Sequence, residues 1–219
     1  MMILMAIPKI KLFCFLMLLF LKIPKIYIRS RIFYSPVMLY YLRYFFVWLL
    51  FKLHPQLHAL SSTFKFKSWC GFDDIDMNLH MNNASYLRVF EYARWKLYLE
   101  SGLFSVCHKQ GGHPVVASIS VAYKRELFLF KSFEIKTRIT GIKGPWIFLE
   151  QSMFDGNQKL LCRASLKILF LNKRTKIDAL ELIQKASEII HVSDDWVESL
   201  NLNELHNIHL RVERELKEE

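Results

Sequence analysis

Asp73 to Arg94 reads DDIDMNLHMNNASYLRVFEYAR. Within it Asp76, Asn78 and His80 alternate at i, i+2 and i+4, and the pair Asn82 and Asn83 follows. In extended backbone, residues two apart point to the same face, so this spacing predicts that the three side chains converge on one spot. A helix starting just after Asn83 aims its free N–H groups and positive dipole end at that region. A carboxylate, an amide and an imidazole facing a helix N-terminus supply a base, an orienting polar group and a place for a developing oxyanion. Hydrolysis of an acyl group needs all three.

Outward from this stretch the pattern becomes regular. From Ala84 to Gly102, apolar Tyr86, Leu87, Phe90, Ala93, Leu97 and Tyr98 recur at three and four, and Gly102 is a stop signal. The pattern predicts a long helix with a broad apolar face, buried against a sheet. Before it, Phe64 to Cys70 alternates Phe and Lys as a half-buried strand does. After it come four strand-like runs: Val115 to Tyr123, Phe133 to Ile142, Trp146 to Phe154 and Leu160 to Leu171. Gly144-Pro145 and Asp155-Gly156-Asn157 punctuate them as turns. The class is α+β: one strand, a long central helix, then an antiparallel meander. Asp178 to Ile190 reads as an amphipathic helix, and Ser193-Asp194-Asp195 caps a last charged one.

Charge divides the chain. Of its 219 residues none before Asp73 is acidic, while ten are Lys or Arg, so the net charge of +10 belongs to the N-terminal third. Those basic residues are mixed into Leu, Ile, Phe and Tyr, which favours a membrane surface over nucleic acid. Leu12 to Leu21 has the length and flanking charge of a signal-peptide core but lacks a small-x-small cleavage site. Phe33 to Leu53 is long enough to span a bilayer, with Arg43 in its middle. A signal anchor, a re-entrant or interfacial hairpin and an uncleaved pre-sequence all fit, as does an amphipathic helix packed on its own domain. Membrane attachment is the favoured expectation. The positive-inside rule then places the following domain on the cytoplasmic side. His54 to Thr63 is a polar break. The expected organisation is a membrane-associated segment over 1–60, a domain over 61–175 and a helical extension over 176–219.

Four cysteines lie far apart with no CxxC pair, and the His pairs have no third ligand nearby. Buried reduced thiols and no metal are the expectation.

At this point the sequence resembles the hotdog thioesterases of the 4-hydroxybenzoyl-CoA thioesterase type. Their pattern D-x-D-x-x-G-H-V-N-N-x-x-Y is matched by Asp74, Asp76, Leu79, His80, Met81, Asn82, Asn83 and Tyr86, with Leu79 where many members have Gly. Two branches are similar. Plant acyl-ACP thioesterases have a D-x-N-x-H-V-N-N core, to which DMNLHMNN corresponds, and VAYKREL is similar to their EYRRE segment. Membrane-associated thioesterase-superfamily proteins of animals share the L-H-M-N-N-A-x-Y-L form and a hydrophobic N-terminus. The resemblance covers Phe64 to Leu171. It implies a hotdog fold, an antiparallel sheet wrapped around one long central helix, and an acyl-CoA or acyl-ACP substrate. It implies no cofactor, and a homodimer or dimer of dimers with sites built between subunits.

The catalytic candidates are therefore Asp76, Asn78, His80 and Glu126, the last by resemblance alone. Asp76 is the general base or nucleophile, and its bland reading is an Asx-turn residue, which fits Asp73 and Asp74 better. His80 orients the carbonyl or shares a proton with Asp76, and Asn78 positions water. Asn82 or Asn83 caps the helix, freeing the backbone N–H groups of Asn83, Ala84, Ser85 and Tyr86 as the oxyanion site. The Tyr86 and Arg94 side chains read as packing and surface groups. Phe90, Leu97, Val116 and Ile119 are candidates to line an acyl tunnel. The competing function is a non-catalytic hotdog module that binds acyl chains or scaffolds a membrane complex. Enoyl-thioester hydration comes last, because its characteristic Asp/His loop motif is absent.

Overall fold

A computed structural model describes residues 36–53 and 55–190. The Leu12–Leu21 run and the helix expected after Ser193 lie outside them. The chain divides between Tyr40 and Tyr41 into two compact units. Helix α1 (Pro36–Leu53) crosses that boundary and belongs to the second unit from Tyr41 onward.

Alternating Phe and Lys make β1 (Phe64–Trp69) an edge strand with Phe64 buried and the lysines out. The long helix follows as α2 (Asn83–Glu100), then a short helix not evident from the sequence, α3 (Leu103–Lys109). The meander is β2 (Gly112–Tyr123), β3 (Ser132–Lys143), β4 (Trp146–Asp155) and β5 (Leu160–Asn172), with β6 (Thr175–Lys176) and α4 (Ala179–Ile190) completing it. The strands form one antiparallel sheet in the order β1-β3-β4-β5-β2, with β6 on β5. Among the described residues strand β2 pairs only with β5, so no described strand lies on its other side. This is the hotdog arrangement.

Inward-facing Ile135, Leu149, Met153, Leu166 and Ile168 are fully buried, and α2 supplies Val89, Phe90, Ala93 and Leu97 to the same core. At about 25 cal/mol per Å², burying such side chains is the main force fixing the helix on the sheet. One polar cluster crosses this core. Gln151 donates through Nε2 to the Phe90 carbonyl and Thr137 Oγ1 (both 3.0 Å) and accepts from Arg94 Nη1 at 2.9 Å. Arg94 is thus a buried strut between α2 and β4 rather than a surface group.

The polar break after α1 is folded onto the domain: the His58 N–H donates to the Glu100 carbonyl (2.9 Å) and Leu60 is fully buried. Likewise α4 is part of the core, through Ala179, Leu182, Ile183 and Ala186. Helix α1 packs Tyr44 edge-on against Tyr92 and Trp95 of α2. Among the described residues no helix is long and apolar enough to cross a membrane.

Candidate active site

The decisive stretch folds as a turn, not as the extended strand its alternation suggests. The Leu79 N–H donates to the Asp76 carbonyl and the Asp76 N–H to the His80 carbonyl (both 3.1 Å), while Ile75 bridges Met81. Leu79 takes the left-handed φ of 63°. That conformation suits glycine, which explains the Gly of the similar pattern, and here an exposed Leu bears the strain.

The reversal sets Asp76 and His80 opposite one another, with His80 Nδ1 3.8 Å from Asp76 Oδ1. Asn78 does not join them: it sits exposed at the tip, its N–H donating to Asp76 Oδ1 at 2.9 Å. Asp76 therefore does form an Asx turn, through one oxygen, and its Oδ2 has no protein donor among the described residues. Both Asp76 and His80 are partly exposed, with side-chain exposures of 27% and 26%.

The helix start is adjacent. Asn82 is the N-cap, its Oδ1 accepting the Ala84 N–H at 2.8 Å. Its carbonyl accepts the N–H groups of Ser85 (2.8 Å) and Tyr86 (3.3 Å). The expected oxyanion donors at Ala84, Ser85 and Tyr86 are thus already engaged, because the cap and first turn consume them. Only the Asn83 N–H remains without an acceptor among the described residues. Tyr86 is buried, its hydroxyl 3.5 Å from the Arg125 carbonyl, and burial pushes its pKa up.

Glu126 lies on a segment of the same chain that borders the turn: Met81 donates its N–H to the Leu127 carbonyl (2.7 Å), and His80 bridges Phe128. Its side chain is exposed. The tunnel candidates separate, Phe90 and Leu97 being fully buried in the core while Val116 is exposed on β2.

Sequence reasoning missed the most heavily bonded carboxylate. Asp74 is fully buried, and Arg43, Arg88 and the Gly71 N–H all donate to it. Burial alone would raise its pKa, but these hydrogen bonds and the Arg43 charge hold it below the usual carboxylate range. A signal did exist. A lone Arg in an apolar block needs either water or a carboxylate partner, and Asp73 and Asp74 are the first acids in the chain.

Cys70, Cys107 and Cys162 are free and buried, and burial pushes the thiols of Cys70 and Cys107 up to about 11. Among the described residues no group of three His, Cys, Asp or Glu is placed to hold a metal ion.

A curled antiparallel sheet around a long helix, with the Asp76–His80 turn at that helix's N-terminus, defines a hotdog protein. The family model of the thioesterase-like superfamily matches residues 70–197, and the chain belongs to that superfamily. It is 32% identical to Protein THEM6 of Xenopus laevis over 112 residues, 51% of this chain and 54% of that one. It is 37% identical to Protein THEM6 of Danio rerio over 95 residues, 41% of this chain and 47% of the other. It thus spans about half the length of the curated relatives it matches. Among solved structures, the fold is shared with the probable thioesterase YbaW of Escherichia coli. That likeness has a TM-score of 0.53 and 20% identity over 57% of this chain and 96% of the other. A hypothetical protein of Staphylococcus aureus in complex with CoA has a TM-score of 0.53 and 18% identity, over 61% and 85%.

Proposed function

We propose that the chain is an acyl thioesterase acting on acyl-CoA or acyl-ACP thioesters, with Asp76 as general base. The observation that carries this is the Asp76 carboxylate near His80 and the capped start of α2, with Asp76 Oδ2 accepting no hydrogen bond among the described residues. Asp76 takes a proton from water as the oxygen attacks the thioester carbonyl. The resulting oxyanion accepts the Asn83 N–H and the positive helix end. Collapse breaks the C–S bond, and the thiolate leaves with the proton that Asp76 acquired. His80, 3.8 Å away, orients the carboxylate. Membership of the superfamily supports thioester hydrolysis, and the CoA bound by the Staphylococcus aureus protein of like fold supports a CoA carrier. The similarity of DMNLHMNN to plant acyl-ACP thioesterases keeps acyl carrier protein as the other carrier.

A homodimer fits the side of β2 that has no strand partner among the described residues, since an open sheet edge invites a second copy. In that assembly Glu126, exposed on the segment bordering the turn, is available to a site shared between subunits. Attachment to a membrane is supported by the acid-free basic N-terminal third and by Phe46, Leu50 and Leu53, an exposed apolar stripe at i, i+4 and i+7 of α1. An interfacial helix fits α1 better than a spanning one, and the attraction of its basic surroundings to the anionic cytoplasmic leaflet supports the hotdog domain on the cytoplasmic side.

The second reading is a non-catalytic acyl-binding module, favoured by the Asx turn that occupies one Asp76 oxygen and by the exposure of Asn78. Hydrolysis of short, medium and long acyl-CoAs by the full chain, beside Asp76→Asn, separates the two. Turnover lost in the variant supports the enzyme. Tight acyl-CoA binding without turnover, on either carrier, supports the module.

A further inference from the structure

We propose that Arg43, carried on the hydrophobic helix α1, is a positioning residue that clamps the Gly71–Asp76 segment through the buried Asp74. The proposal rests on the reading of Asp76 as the base, and it adds that α1 helps hold that base in place.

The geometry is a two-pronged grip. Arg43 donates through Nη1 to Asp74 Oδ1 and through Nη2 to Asp74 Oδ2, both at 3.1 Å, and Nη2 also reaches Asp73 Oδ1 at 3.0 Å. Arg88 adds a bond to Asp74 Oδ1 at 2.6 Å. Two guanidinium groups and two carboxylates therefore balance in charge. This matters because Asp74 has no exposed surface, and a buried carboxylate without partners is strongly disfavoured.

Asp74 passes the grip on through its backbone. Its N–H donates to the Gly71 carbonyl (3.1 Å), and its carbonyl accepts the N–H of Asn82, the α2 cap, at 2.8 Å. Asp76 follows two residues later. Arg88 belongs to α2 and moves with that cap. Arg43 comes from 31 residues before Asp74 and is the restraint from a different element. Gly71 completes the fit. A Cβ there would stand 2.9 Å from Asp73 Oδ1 and 3.2 Å from Arg43 Nη2, so a side chain makes the Arg43–Asp73 contact shift.

Arginine suits this role because its planar fork meets both carboxylate oxygens at once, whereas an ammonium acts as a point charge. An Arg needed only to dock α1 would leave the turn indifferent to its loss.

The test uses the full chain with Arg43→Gln, Arg43→Lys and Gly71→Ala, read by amide hydrogen exchange and by thioester kinetics. The expected result for Arg43→Gln is amides of residues 74–82 exchanging about tenfold faster or more, with β3, β4 and β5 unchanged. With it, kcat falls about tenfold or more while KM stays within about threefold, as misplacement of a catalytic group does. Arg43→Lys recovers part of both effects. Gly71→Ala, which keeps every charge, raises the local exchange in the same direction, and Arg43→Lys decides the matter should Arg43→Gln not fold. Exchange at 74–82 equal to wild type in Arg43→Gln and Gly71→Ala, or a uniform rise across the sheet, would overturn the clamp. A wild-type chain without turnover removes the reading of Asp76, and the exchange measurements still decide the clamp.

Discussion

His80 Nδ1 stands 3.8 Å from Asp76 Oδ1 across a turn closed by Leu79. The separation is too long for a hydrogen bond and short enough for the imidazole to bias the carboxylate's orientation. General-base catalysis contributes about two to four orders of magnitude. Asp76→Asn therefore lowers kcat for acyl-CoA hydrolysis by about a hundredfold or more, with the thermal midpoint little changed because Asn also accepts the Asn78 N–H. A variant within a few-fold of wild type would remove Asp76 as base.

Leu79 holds its left-handed φ at a conformational cost of about 1–2 kcal/mol. Leu79→Gly relieves that strain and gives up part of the gain to the entropy of the unfolded chain. The net expectation is stabilisation of about 0.5–1 kcal/mol in urea denaturation, and Leu79→Val moves the midpoint the other way.

Asp74 links stability to pH. Its carboxyl is held below the usual Asp value of about 3.9, so its contribution is complete above that value and disappears as pH falls through the lower folded value. Asp74→Asn is less stable than wild type at pH 7, and the gap narrows as acid unfolding is followed below about pH 4. Asp74→Ala, which leaves Arg43 and Arg88 with Asp73 as their one shared carboxylate, costs about 3–5 kcal/mol at pH 7.

Gln151 has no exposed surface, and its amide meets Phe90, Thr137 and Arg94. Gln151→Leu keeps the volume and strands the Arg94 guanidinium, at a cost of about 2–4 kcal/mol in chemical denaturation.

The exposed stripe of α1 is testable on vesicles. Leu50→Asp and Leu53→Asp each remove an apolar side chain of about 1.5–3 kcal/mol transfer energy, so partition onto anionic vesicles falls about tenfold or more per substitution. Unchanged partition would assign attachment wholly to residues outside the described range.

The fold was legible because its signals are local. Phe and Lys alternating in β1, three-four spacing in α2, and the Gly-Pro and Asp-Gly-Asn breaks each report on neighbours a few residues apart. The helix start and the nearness of Asp76 to His80 were legible for the same reason. Asn78 misled because i, i+2 spacing implies one face only in extended backbone, and a left-handed Leu79 turns the chain instead. Nor could spacing show that Asn82 would consume the amides of Ala84, Ser85 and Tyr86, since that depends on the hydrogen bonds the cap makes.

By itself, then, the sequence determined the strand–helix–meander order, the place where α2 starts, and the concentration of basic charge before Asp73. Tertiary structure alone decided which carboxylate would be buried and which arginine would meet it. Arg43 and Asp74 are 31 residues apart, and no local propensity joins them. What joins them is the cost of leaving either charge unpaired once α1 and the Gly71–Asp76 segment pack together.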